Sequence, residues 1–584
     1  MNRFLLPLTL LAVPLVAGAT TRYVAPGGTD TGDCSVAAAP CATIAYAVGQ
    51  ADDGDLIAVA AGAYAAGAVL DRDVAVEGAG RRATKVAGAF TVNAGVTAAL
   101  RDLTVQGARV TNHGNATLER VTVRDNVGTG VVNDGTMAII DGTVANNDCS
   151  YSACLPGGIR NYGALTLLRT GVVDNDSFES NGWGGGLYNG PNATATAIES
   201  LFEGNSHLTE DTDTGWGGGI HNEGALTVLR STIRNNVAEV GGGISSEDEQ
   251  GSGNVTLVID GSTISNNYAA IECGALIWYG ESAAIRNSTI SGNDGGLCGD
   301  VTIEFSTITG NGLGNYYGSG VLAGDVVLRN TVVAGNEADC TLGDGDGGPY
   351  TITSFDYNVL GPLGAGCVLV GDTEHSVLDV DDPQLGPLAP NGGPTRTHAP
   401  LPGSPVLNAG TCTDIDGDPV TEDQRGASRP FGPACDVGAV EQGAFIAALS
   451  VAPVAPPTVI PAGGGEFAFT FAVTNLTAEP QTLDAWAEAT PPDGPILTAP
   501  YGPLRGPVTI TLGPGETVER TLVQRVPASA MGGYWTYAGN VGTYPDGAVA
   551  SDAFPVTKQH AASRARGRPA RAATEGAGWP LVYA

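Results

Sequence analysis

The chain has 584 residues, of which 42% are hydrophobic and 15% charged, and its formal net charge is −34. It is long enough for more than one domain and a large core. Because its only lysines are Lys85 and Lys558, no basic stripe could neutralise phosphates. The composition excludes nucleic acid as a partner and disfavours anionic polysaccharides, unless a divalent cation bridges them.

The N-terminus has the pattern of a secretory signal peptide over residues 1–19. Arg3 supplies a positive charge, residues 4–16 are apolar, and Ala17-Gly18-Ala19 is a small-residue cleavage site. The apolar stretch is too short to span a bilayer comfortably, and no other segment is long and apolar enough. We therefore expect a secreted or cell-surface protein, extracellular or associated with the outer membrane, whose mature chain lacks a transmembrane helix.

The first element predicted after this signal is a short helix. Residues 43–51 place apolar side chains at helical spacing, and Thr43 is a suitable N-cap. Short apolar strand segments then recur about every 18 residues as far as Val123. The helix is expected to cover the exposed end of the structure that these strands build.

A degenerate repeat occupies residues 121–336. Glycines, an apolar strand and asparagine recur in this order, as in Gly217-Gly218-Gly219-Ile220-His221-Asn222. The asparagines that end the repeats are Asn126, Asn147, Asn175, Asn205, Asn236, Asn267, Asn293, Asn311 and Asn336. Their uneven spacing suits coils of short strands, because insertions enter the turns while the strands stay stacked.

This repeat predicts a β-solenoid with parallel strands over about residues 55–380. Pairs such as Leu165 and Leu167 alternate with period two, as strands that bury one face require. Asparagine tolerates the left-handed conformation that a sharp corner needs, and stacked asparagines can hydrogen-bond along the axis. Asn236, Asn267 and Asn293 should therefore lie near one corner.

The repeat phrase resembles right-handed parallel β-helix proteins of bacterial surfaces, particularly those with polymorphic-outer-membrane-protein-type repeats. The region after it is similar to the choice-of-anchor Q domain, through Asn391-Gly392-Gly393-Pro394, Asp423-Gln424-Arg425-Gly426 and Cys435-Asp436-Val437-Gly438. The resemblance covers about residues 22–441 and implies export and display, with no known reaction. It divides this part into a β-helix at 20–390 and a closing segment at 391–441.

The closing segment is expected to fold over the C-terminal end of the solenoid, with Asp423 pairing with Arg425. A different pattern follows at 446–557, where Phe467, Phe469 and Phe471 alternate and several strands are bounded by glycine or proline. This pattern predicts an immunoglobulin-like β-sandwich. The arginine-rich remainder, residues 558–584, is predicted to be disordered. The fold class is therefore all-β, a right-handed parallel β-helix followed by a sandwich.

Ten cysteines fit an oxidising compartment. Their spacing suggests five sequential pairs, although sequence alone does not fix connectivity. The pairs are Cys34–Cys41, Cys149–Cys154, Cys273–Cys298, Cys340–Cys367 and Cys412–Cys435. A metal site is disfavoured because no CxxC pair or histidine cluster accompanies them.

An aromatic constellation is the strongest candidate site. The phrases Gly182-Trp183-Gly184 and Gly215-Trp216-Gly217 lie 33 residues apart, which is about one coil, so Trp183 and Trp216 should stack in register. Tyr188 should lie beside His221 for the same reason. The preceding turns carry Glu179, Asp211 and Asp213. Indoles flanked by carboxylates suit sugar rings; the alternative is that the two tryptophans are packing residues that shield the coil, as residues at matched repeat positions usually are.

The other candidates are carboxylates. A lyase or hydrolase would need several of them to converge on one face. The available residues are Asp174, Asp176, Glu199, Glu203, Asp260 and Glu304. Asp414, Asp416 and Asp418 alternate as in a Ca²⁺ loop, but Pro419 and Arg425 replace the glycine and glutamate of an EF-hand. We predict no cofactor and no metal site, with Ca²⁺ left as an alternative.

These observations favour a non-enzymatic, adhesin-like scaffold that binds a glycan or a surface protein, acting as a monomer. One alternative is a polysaccharide lyase or glycoside hydrolase built on the same solenoid. Another alternative is a purely structural spacer. No nucleotide-binding or zinc-protease motif is present to suggest a different chemistry.

Overall fold

The computed structural model describes residues 19–149, 156–178, 183–209, 215–248, 254–280, 282–312, 322–340, 350–364, 367–442, 447–455, 458–475, 480–490, 501–530, 533–544 and 547–559. The first part of the chain is a right-handed parallel β-helix with four sheets, A to D, along its sides. Every described strand pair between Thr21 and Asp372 is parallel, which confirms the predicted solenoid.

Sheets A and B extend over the whole solenoid. Sheet A contains β1 (Thr21–Val24), β2 (Leu56–Val59), β5 (Ala75–Gly78), β8 (Thr97–Arg101), β11 (Asn115–Glu119), β14 (Thr136–Ile140), β18 (Ala164–Leu168), β22 (Thr194–Ile198), β26 (Ala225–Leu229), β30 (Thr256–Asp260), β34 (Ser282–Arg286), β37 (Val301–Glu304), β40 (Val326–Arg329), β42 (Tyr350–Phe355) and β44 (Cys367–Asp372). Sheet B contains β3 (Gly62–Tyr64), β6 (Thr84–Val86), β9 (Thr104–Gln106), β12 (Thr122–Arg124), β15 (Thr143–Ala145), β19 (Gly171–Val173), β23 (Leu201–Glu203), β27 (Thr232–Arg234), β31 (Thr263–Ser265), β35 (Thr289–Ser291), β38 (Thr307–Thr309), β41 (Val332–Val333) and β43 (Val359–Leu360).

Sheets C and D are shorter. Sheet C contains β4 (Val69–Leu70), β7 (Phe90–Val92), β10 (Val110–Asn112), β13 (Val131–Asn133), β17 (Ile159–Asn161), β21 (Leu187–Asn189), β25 (Ile220–Asn222), β29 (Ile244–Glu247), β33 (Leu276–Tyr279), β36 (Leu297–Cys298) and β39 (Leu322–Ala323). Sheet D contains β16 (Asp148–Cys149), β20 (Asp176–Ser177), β24 (Ser206–His207), β28 (Val237–Val240) and β32 (Tyr268–Glu272).

The core fills the inside of the coils. In β18 the buried residues are Leu165 and Leu167, and the residues between and beside them face outward. The same inward positions are taken by Leu226 and Val228 two coils further on. Because side chains alternate along a strand, each coil buries one set and exposes the other, and stacking joins the buried sets into one core.

The repeat asparagines form a buried ladder along one corner. Asn236 donates through Nδ2 to Oδ1 of Asn267 at 3.0 Å, and Asn267 donates to Asn293 at 2.9 Å. The predicted common corner is confirmed. The left-handed conformation, however, belongs to the residue before each of these, such as Asn235 (φ 56°) and Asn266 (φ 54°). The ladder residues therefore serve hydrogen bonding, and their neighbours make the turn.

A short helix and a disulfide-closed loop lie at the N-terminal end of the solenoid. Helix α1 (Ile44–Gly49) is capped by Thr43, whose side chain accepts a hydrogen bond from the Tyr46 backbone N–H. The loop closed by the Cys34–Cys41 disulfide pairs with the outer edge of β1, since Tyr23 N–H donates to the Cys34 carbonyl at 2.8 Å. This loop satisfies backbone groups that the first coil would otherwise expose.

The closing segment was expected from the sequence to fold over the C-terminal end of the solenoid, but its contacts run along the outer face of sheet B. Thr263 Oγ1 donates to the Arg396 carbonyl and Thr289 Oγ1 donates to Gln424 Oε1, both at 2.6 Å. The segment is joined to the chain before it by a hairpin of β45 (Leu385–Ala389), which precedes it, and β46 (Thr397–Pro400), which lies within it. Short polar side chains on sheet B explain this placement, because they offer hydrogen bonds to a loop.

Buried ion pairs hold this segment together. Arg425 pairs with Asp423 at 2.8 Å, as predicted from the sequence. Arg429 and Glu441 form a second pair at 3.2 Å, and both side chains are fully buried. Glu441 also accepts the backbone N–H groups of Phe431 and Asp436. Such a pair is stable only while all its hydrogen bonds are made.

His398 is expected to make the closing segment sensitive to acid. Its Nδ1 contacts the Gly386 carbonyl at 2.7 Å and its Nε2 contacts Ser291 Oγ at 2.8 Å. Burial lowers the pKa of this imidazole below 6.5. Between its folded and unfolded pKa values the unfolded chain binds more protons, so stability is lost as the pH falls below about 6.5.

The measurement is the urea midpoint of the wild type and of His398→Gln at pH 8 and pH 5. The urea midpoint of the wild type should exceed that of the variant by more at pH 8 than at pH 5, because the neutral imidazole makes both contacts at pH 8. An equal difference at the two pH values would contradict this role, because other titrating groups are the same in both proteins.

Four predicted disulfides are present. They join Cys34 to Cys41, Cys273 to Cys298, Cys340 to Cys367 and Cys412 to Cys435. The remaining predicted pair includes Cys154, which lies outside the described residues. The pairs link positions at most 27 residues apart. Sequential pairing follows from the solenoid, in which positions about one coil apart in sequence become neighbours.

The C-terminal part is a β-sandwich. One sheet contains β47 (Ala447–Pro453), β49 (Gly465–Asn475) and β52 (Thr517–Val526). The other contains β48 (Thr458–Ile460), β54 (Gly547–Lys558), β53 (Gly533–Thr543), β50 (Gln481–Thr490) and β51 (Tyr501–Leu512), in that order. Phe467, Phe469 and Phe471 point into the space between the sheets, as their alternation predicts. Residues 1–18 of the predicted signal peptide (1–19) and residues 560–584 of the predicted tail (558–584) lie outside the described residues, whereas Lys558 belongs to β54.

No helix within the described ranges is long and apolar enough to cross a membrane.

Candidate functional site

The two tryptophan phrases occupy adjacent coils on the outer side of sheet C. Tyr188 of β21 pairs in register with His221 of β25, and Trp183 forms a bridge with Trp216. These are the neighbours that the repeat predicts. The inward residues on either side of Tyr188 are Leu187, in the core, and Asn189, in a second asparagine ladder. The strand period therefore forces Tyr188 and His221 to the outer face.

Three of these rings form a stack. The Trp183 ring centre lies 5.5 Å from that of Tyr188 and 5.9 Å from that of His221, with interplanar angles of 20° and 11°. Tyr188 and His221 lie 5.8 Å apart at 15°. Trp183 is half-buried, whereas Tyr188 and His221 are almost completely covered. Trp183 thus presents the accessible ring, and the other two support it.

Trp216 has a different environment. It is half-buried and packs against a small apolar cluster formed by Val240, Cys273 and Ile277. Its carbonyl contacts His207 Nδ1 at 3.0 Å. The two indoles therefore share a register but not a role, since Trp183 rests on aromatic rings and Trp216 on aliphatic side chains and a cysteine.

His221 links the aromatic stack to a polar network. Its Nδ1 lies 2.6 Å from Ser245 Oγ, and its Nε2 lies 3.3 Å from Glu223 and 3.7 Å from Glu247. Glu223 also hydrogen-bonds to the Tyr188 hydroxyl. Burial, followed by the charge of Glu223, raises the pKa of Tyr188, so this hydroxyl remains protonated and can donate.

Ser245, His221 and Glu223 have the composition of a hydrolase triad but are packed as a structural network. Ser245 and His221 have no exposed surface. A Cβ added to Gly241 would lie 2.8 Å from the Ser245 Cβ, so the backbone of Gly241 rests directly on the serine. Gly241 has φ of 63°, a conformation that favours glycine. A substrate carbonyl cannot reach this hydroxyl in the arrangement observed.

Glu239 fixes the turn that precedes Trp216. Its Oε1 accepts the backbone N–H of Thr209 at 2.8 Å, and its Oε2 accepts that of Gly215 at 3.0 Å. These two residues flank the acidic turn that carries Asp211 and Asp213, which lie outside the described residues together with Glu179. Glu239, which belongs to the next coil, therefore fixes the positions of Thr209 and Gly215 at the two ends of this turn.

A second outward column runs along sheet C beside the stack. Its members stand at equivalent positions of successive coils. Tyr162 and Tyr279 lie at its two ends, and Glu223 and Glu247 lie between them. Tyr162 is 46% exposed and Tyr279 is 55% exposed. Four coil steps of about 4.8 Å separate the two tyrosines by about 19 Å. The column thus has an accessible ring at each end and carboxylates in the middle.

Tyr279 and its neighbour Glu272 place a hydrogen-bond donor and an acceptor at one end of this column. Although the side chain is 55% exposed, partial desolvation, followed by the charge of Glu272, raises the pKa of Tyr279 to about 12. Burial also raises the pKa of the Glu272 carboxyl, whose Oε2 lies 3.5 Å from the Tyr279 hydroxyl. At neutral pH the tyrosine is a hydrogen-bond donor next to an acceptor, an arrangement that suits the hydroxyl groups of a sugar.

The remaining carboxylate candidates do not converge on one face. Glu199 pairs with Arg230 at the corner between sheets A and B, at 3.2 Å, and Glu203 pairs with Arg234 along sheet B, at 3.0 Å. Asp174 occupies a left-handed corner position, Asp176 lies in sheet D and Asp260 ends a strand of sheet A. Glu304 accepts the Ile415 backbone N–H at 2.8 Å, under the closing segment. Most of these residues stabilise the solenoid or its contact with the closing segment, through ion pairs, corner positions and a backbone hydrogen bond.

The Asp414 loop is internally bonded. Asp414 Oδ1 accepts the backbone N–H groups of Asp416 and Asp418 at 3.1 and 2.8 Å, and Oδ2 lies 3.6 Å from Arg286. In the described part of the chain, no group of three or more His, Cys, Asp or Glu residues is arranged to hold a metal ion. The first aspartate therefore stabilises a turn.

Sequence reasoning missed Glu223, Ser245, Glu247, Tyr162 and Tyr279. A usable signal existed, because each residue stands at a fixed place relative to a ladder position such as Asn161 or Asn222. Aligning the repeats on this ladder position, which is Asn161 and Asn222 in the earlier coils but Ser246 and Trp278 in the later ones, places Tyr162, Glu223, Glu247 and Tyr279 in one column.

One family model supports the solenoid fold over part of the chain. Residues 106–290 match the family described as the right handed beta helix region. No curated protein matches the sequence. The crystal structure of pectate lyase Pel9A is similar at 16% identity, over 73% of this chain and 97% of that chain, with a TM-score of 0.32. A β-glucosidase from Listeria innocua in complex with isofagomine is similar at 13% identity, over 41% of this chain and 37% of that chain, with a TM-score of 0.14.

Proposed function

We propose that this is an exported, non-enzymatic scaffold that binds a neutral or amine-bearing glycan on the outer face of sheet C. The observation that carries the proposal is the row of accessible rings, Trp183 with Tyr162 and Tyr279, interspersed with carboxylates on consecutive coils. Aromatic rings pack against the C–H faces of sugars, and carboxylates bond to hydroxyl or amino groups. A disulfide-braced chain is consistent with export.

The spacing indicates how the glycan lies. Tyr162 and Tyr279 are separated by about 19 Å along the axis, which is the span of a short oligosaccharide rather than of one sugar ring. Trp183 stands on the buried stack between these ends. The ligand should therefore run along the solenoid axis, with rings at its ends and near its middle.

The charge of the chain defines which glycans are suitable. The formal net charge is −34, and the partly exposed Glu247 and Glu272 lie within the site, with the buried Glu223 beside them. A uronate chain would be repelled by these groups, whereas neutral sugars would not be and amino sugars would be attracted. Binding of amino sugars should consequently weaken as salt is added.

The test is retention of the purified protein on a panel of immobilised neutral, amino-bearing and uronic polysaccharides. Trp183→Ala removes the accessible ring and should lower retention on the bound glycan at least tenfold. Trp216→Ala is the matched control, because it removes an indole in the same register that packs on Val240 and Ile277. That variant should lose stability and retain binding.

Two outcomes would contradict the proposal. One is retention that is unchanged by Trp183→Ala, which would make the stack a packing device of a structural spacer. The other is release of reducing ends or unsaturated products from a polysaccharide, abolished by Glu247→Gln. That result would identify a hydrolase or lyase built on the same column of residues.

A further inference from the structure

An arginine without a carboxylate partner stands at one end of the outer face of sheet C. Arg160 lies in β17 between Ile159 and Asn161, which are buried, so its own half-buried side chain points outward. Its guanidinium carbon lies 5.6 Å from the centre of the Tyr162 ring. No hydrogen bond or ion pair joins this guanidinium to any residue that the structure describes.

Arginines elsewhere on the solenoid are paired within the chain. Arg120, Arg169 and Arg230 each contact a carboxylate of a neighbouring coil, at 2.7, 2.7 and 3.2 Å. Asp134, in the coil before Arg160, contacts His113 at 3.0 Å. The chain has 61 acidic residues against 27 basic ones, so carboxylates are plentiful. An arginine left without one is therefore free to bind an anion from outside the chain.

The contact with Tyr162 engages only the flat face of the Arg160 guanidinium. The N–H groups point outward in the plane of the group, where a cation–π contact does not satisfy them. Nε is buried and has no hydrogen-bond partner among the described residues, whereas Nη1 and Nη2 are not enclosed. Two terminal nitrogens side by side match the two oxygens of a carboxylate.

The ring of Tyr162 is held in place beside this arginine. It packs edge-to-face on Tyr188, with ring centres 5.6 Å apart. It also covers Gly190, since a Cβ added to Gly190 would lie 2.6 Å from two carbons of the ring. The absence of a side chain at 190 thus allows this position of the ring, and Tyr162 remains 46% exposed. A sugar can pack on the open part of the ring while one of its substituents reaches Arg160.

The two ends of the site differ in charge. Arg160 belongs to the same strand region as Tyr162, whereas Glu247 lies three coils further on, about 14 Å away along the axis. Glu272 lies at the far end, with its Oε2 3.5 Å from the Tyr279 hydroxyl. A uniformly acidic chain is repelled at the far end, and a uniformly cationic chain is repelled by Arg160.

We propose that Arg160 binds a carboxylate carried by the glycan, so that the ligand is a dipolar oligosaccharide. Its acidic group lies at the Tyr162 end, and its hydroxyl or amino groups lie at the Tyr279 end. This inference rests on the proposed glycan-binding function and adds the order of charges along the ligand. The carboxylate accepts hydrogen bonds from Nη1 and Nη2 while the sugar ring that carries it packs on Tyr162.

The test uses four immobilised polymers that share a β-1,4-linked glucan backbone and differ in charge. They are hydroxyethyl cellulose, carboxymethyl cellulose, chitosan and carboxymethyl chitosan, and retention of the full chain is measured at mildly acid pH, where the amines are charged. The wild type should bind carboxymethyl chitosan about tenfold more tightly than chitosan, the effect of one charge-assisted contact. Bulk attraction would give the opposite order, because the whole chain is acidic.

Three variants locate the contact. Arg160→Gln should abolish the preference for carboxymethyl chitosan over chitosan and leave retention on hydroxyethyl cellulose unchanged. Arg160→Lys keeps the charge but loses the paired donors, so it should keep only part of the preference. Arg124→Gln is the matched control, because it removes the same charge from an exposed arginine of sheet B that pairs with Asp125. Circular dichroism and the urea midpoint verify that all three variants fold.

Three results would overturn the inference. They are a wild type that binds chitosan more tightly than carboxymethyl chitosan, a preference that survives in Arg160→Gln, and a preference that falls equally in Arg124→Gln. Each can occur while Trp183→Ala still lowers retention, in which case the glycan proposal stands and only the order of charges is lost. Retention that Trp183→Ala leaves unchanged contradicts the proposed function, and absence of retention on all four polymers overturns both.

Discussion

Asn267→Ala should destabilise the solenoid by about 3–5 kcal/mol, because it leaves buried polar groups without partners. Asn267 Oδ1 accepts the backbone N–H and the side-chain amide of Asn236, and its Nδ2 donates to the Ile233 carbonyl and to Asn293 Oδ1. Alanine replaces none of these contacts and also leaves a cavity in a tightly packed corner. The measurement is the urea midpoint of unfolding, followed by circular dichroism.

Asn267→Asp separates hydrogen bonding from shape. The aspartate has the same size and still accepts from Asn236, but at neutral pH its carboxylate faces the Ile233 carbonyl and Asn293 Oδ1. It should therefore destabilise at least as much as alanine. Asn254→Ala, at an exposed position on the same solenoid, should change stability by less than about 0.5 kcal/mol. A mild effect of Asn267→Asp would mean that the ladder acts through packing alone.

Arg429→Met should lower the free energy of unfolding by about 3–5 kcal/mol, because it leaves the Glu441 carboxylate buried in the closing segment without its ion-pair partner. Both partners of the Arg429–Glu441 pair are fully buried. Arg429 also donates to the carbonyls of Asp436 and Gly438 at 3.0 and 2.6 Å, and its guanidinium lies 5.2 Å from the Phe305 ring centre. Removing it releases the segment from the solenoid wall, which limited proteolysis should detect as new cleavage within 391–441.

The double variant Arg429→Met/Glu441→Met provides the decisive comparison. It removes both charges together, so it should cost less than the sum of the two single changes. The surface pair of Arg525 and Glu466, with side chains 88% and 61% exposed, is the control. Arg525→Met should change stability by less than about 1 kcal/mol. Strict additivity at Arg429 and Glu441 would show that the pair is not coupled.

Much of the fold was predictable because every coil of a solenoid needs the same features, an alternating apolar strand and a corner asparagine. Insertions in the turns do not change the alternation of apolar residues such as Leu165 and Leu167. They also leave in place the asparagine that ends each coil. These features predicted the parallel strands, the buried ladder and the pairing of cysteines near in sequence. They also predicted that Tyr188 and His221 would be neighbours, because residues at equivalent repeat positions meet in register.

The direction taken by the closing segment was not predictable in the same way. Thr289 and Gln424 are 135 residues apart and share no periodic relation. Their contact depends on which side of sheet B offers short hydroxyl side chains, which only the assembled coils define. The sequence motif did reveal the local pair of Asp423 and Arg425, since its partners are two residues apart.

Period-two alternation and coil-length repeats are local and recurring properties, so they sufficed to predict the solenoid, its aromatic register and the sandwich. The accessibility of individual side chains follows instead from tertiary packing. This packing buried Tyr188 and His221 under Trp183, joined Ser245 and Glu223 through His221, and exposed Tyr162 and Tyr279. Accessibility depends on what neighbouring coils and turns place above a side chain, and that is a property of the whole stack rather than of any one repeat.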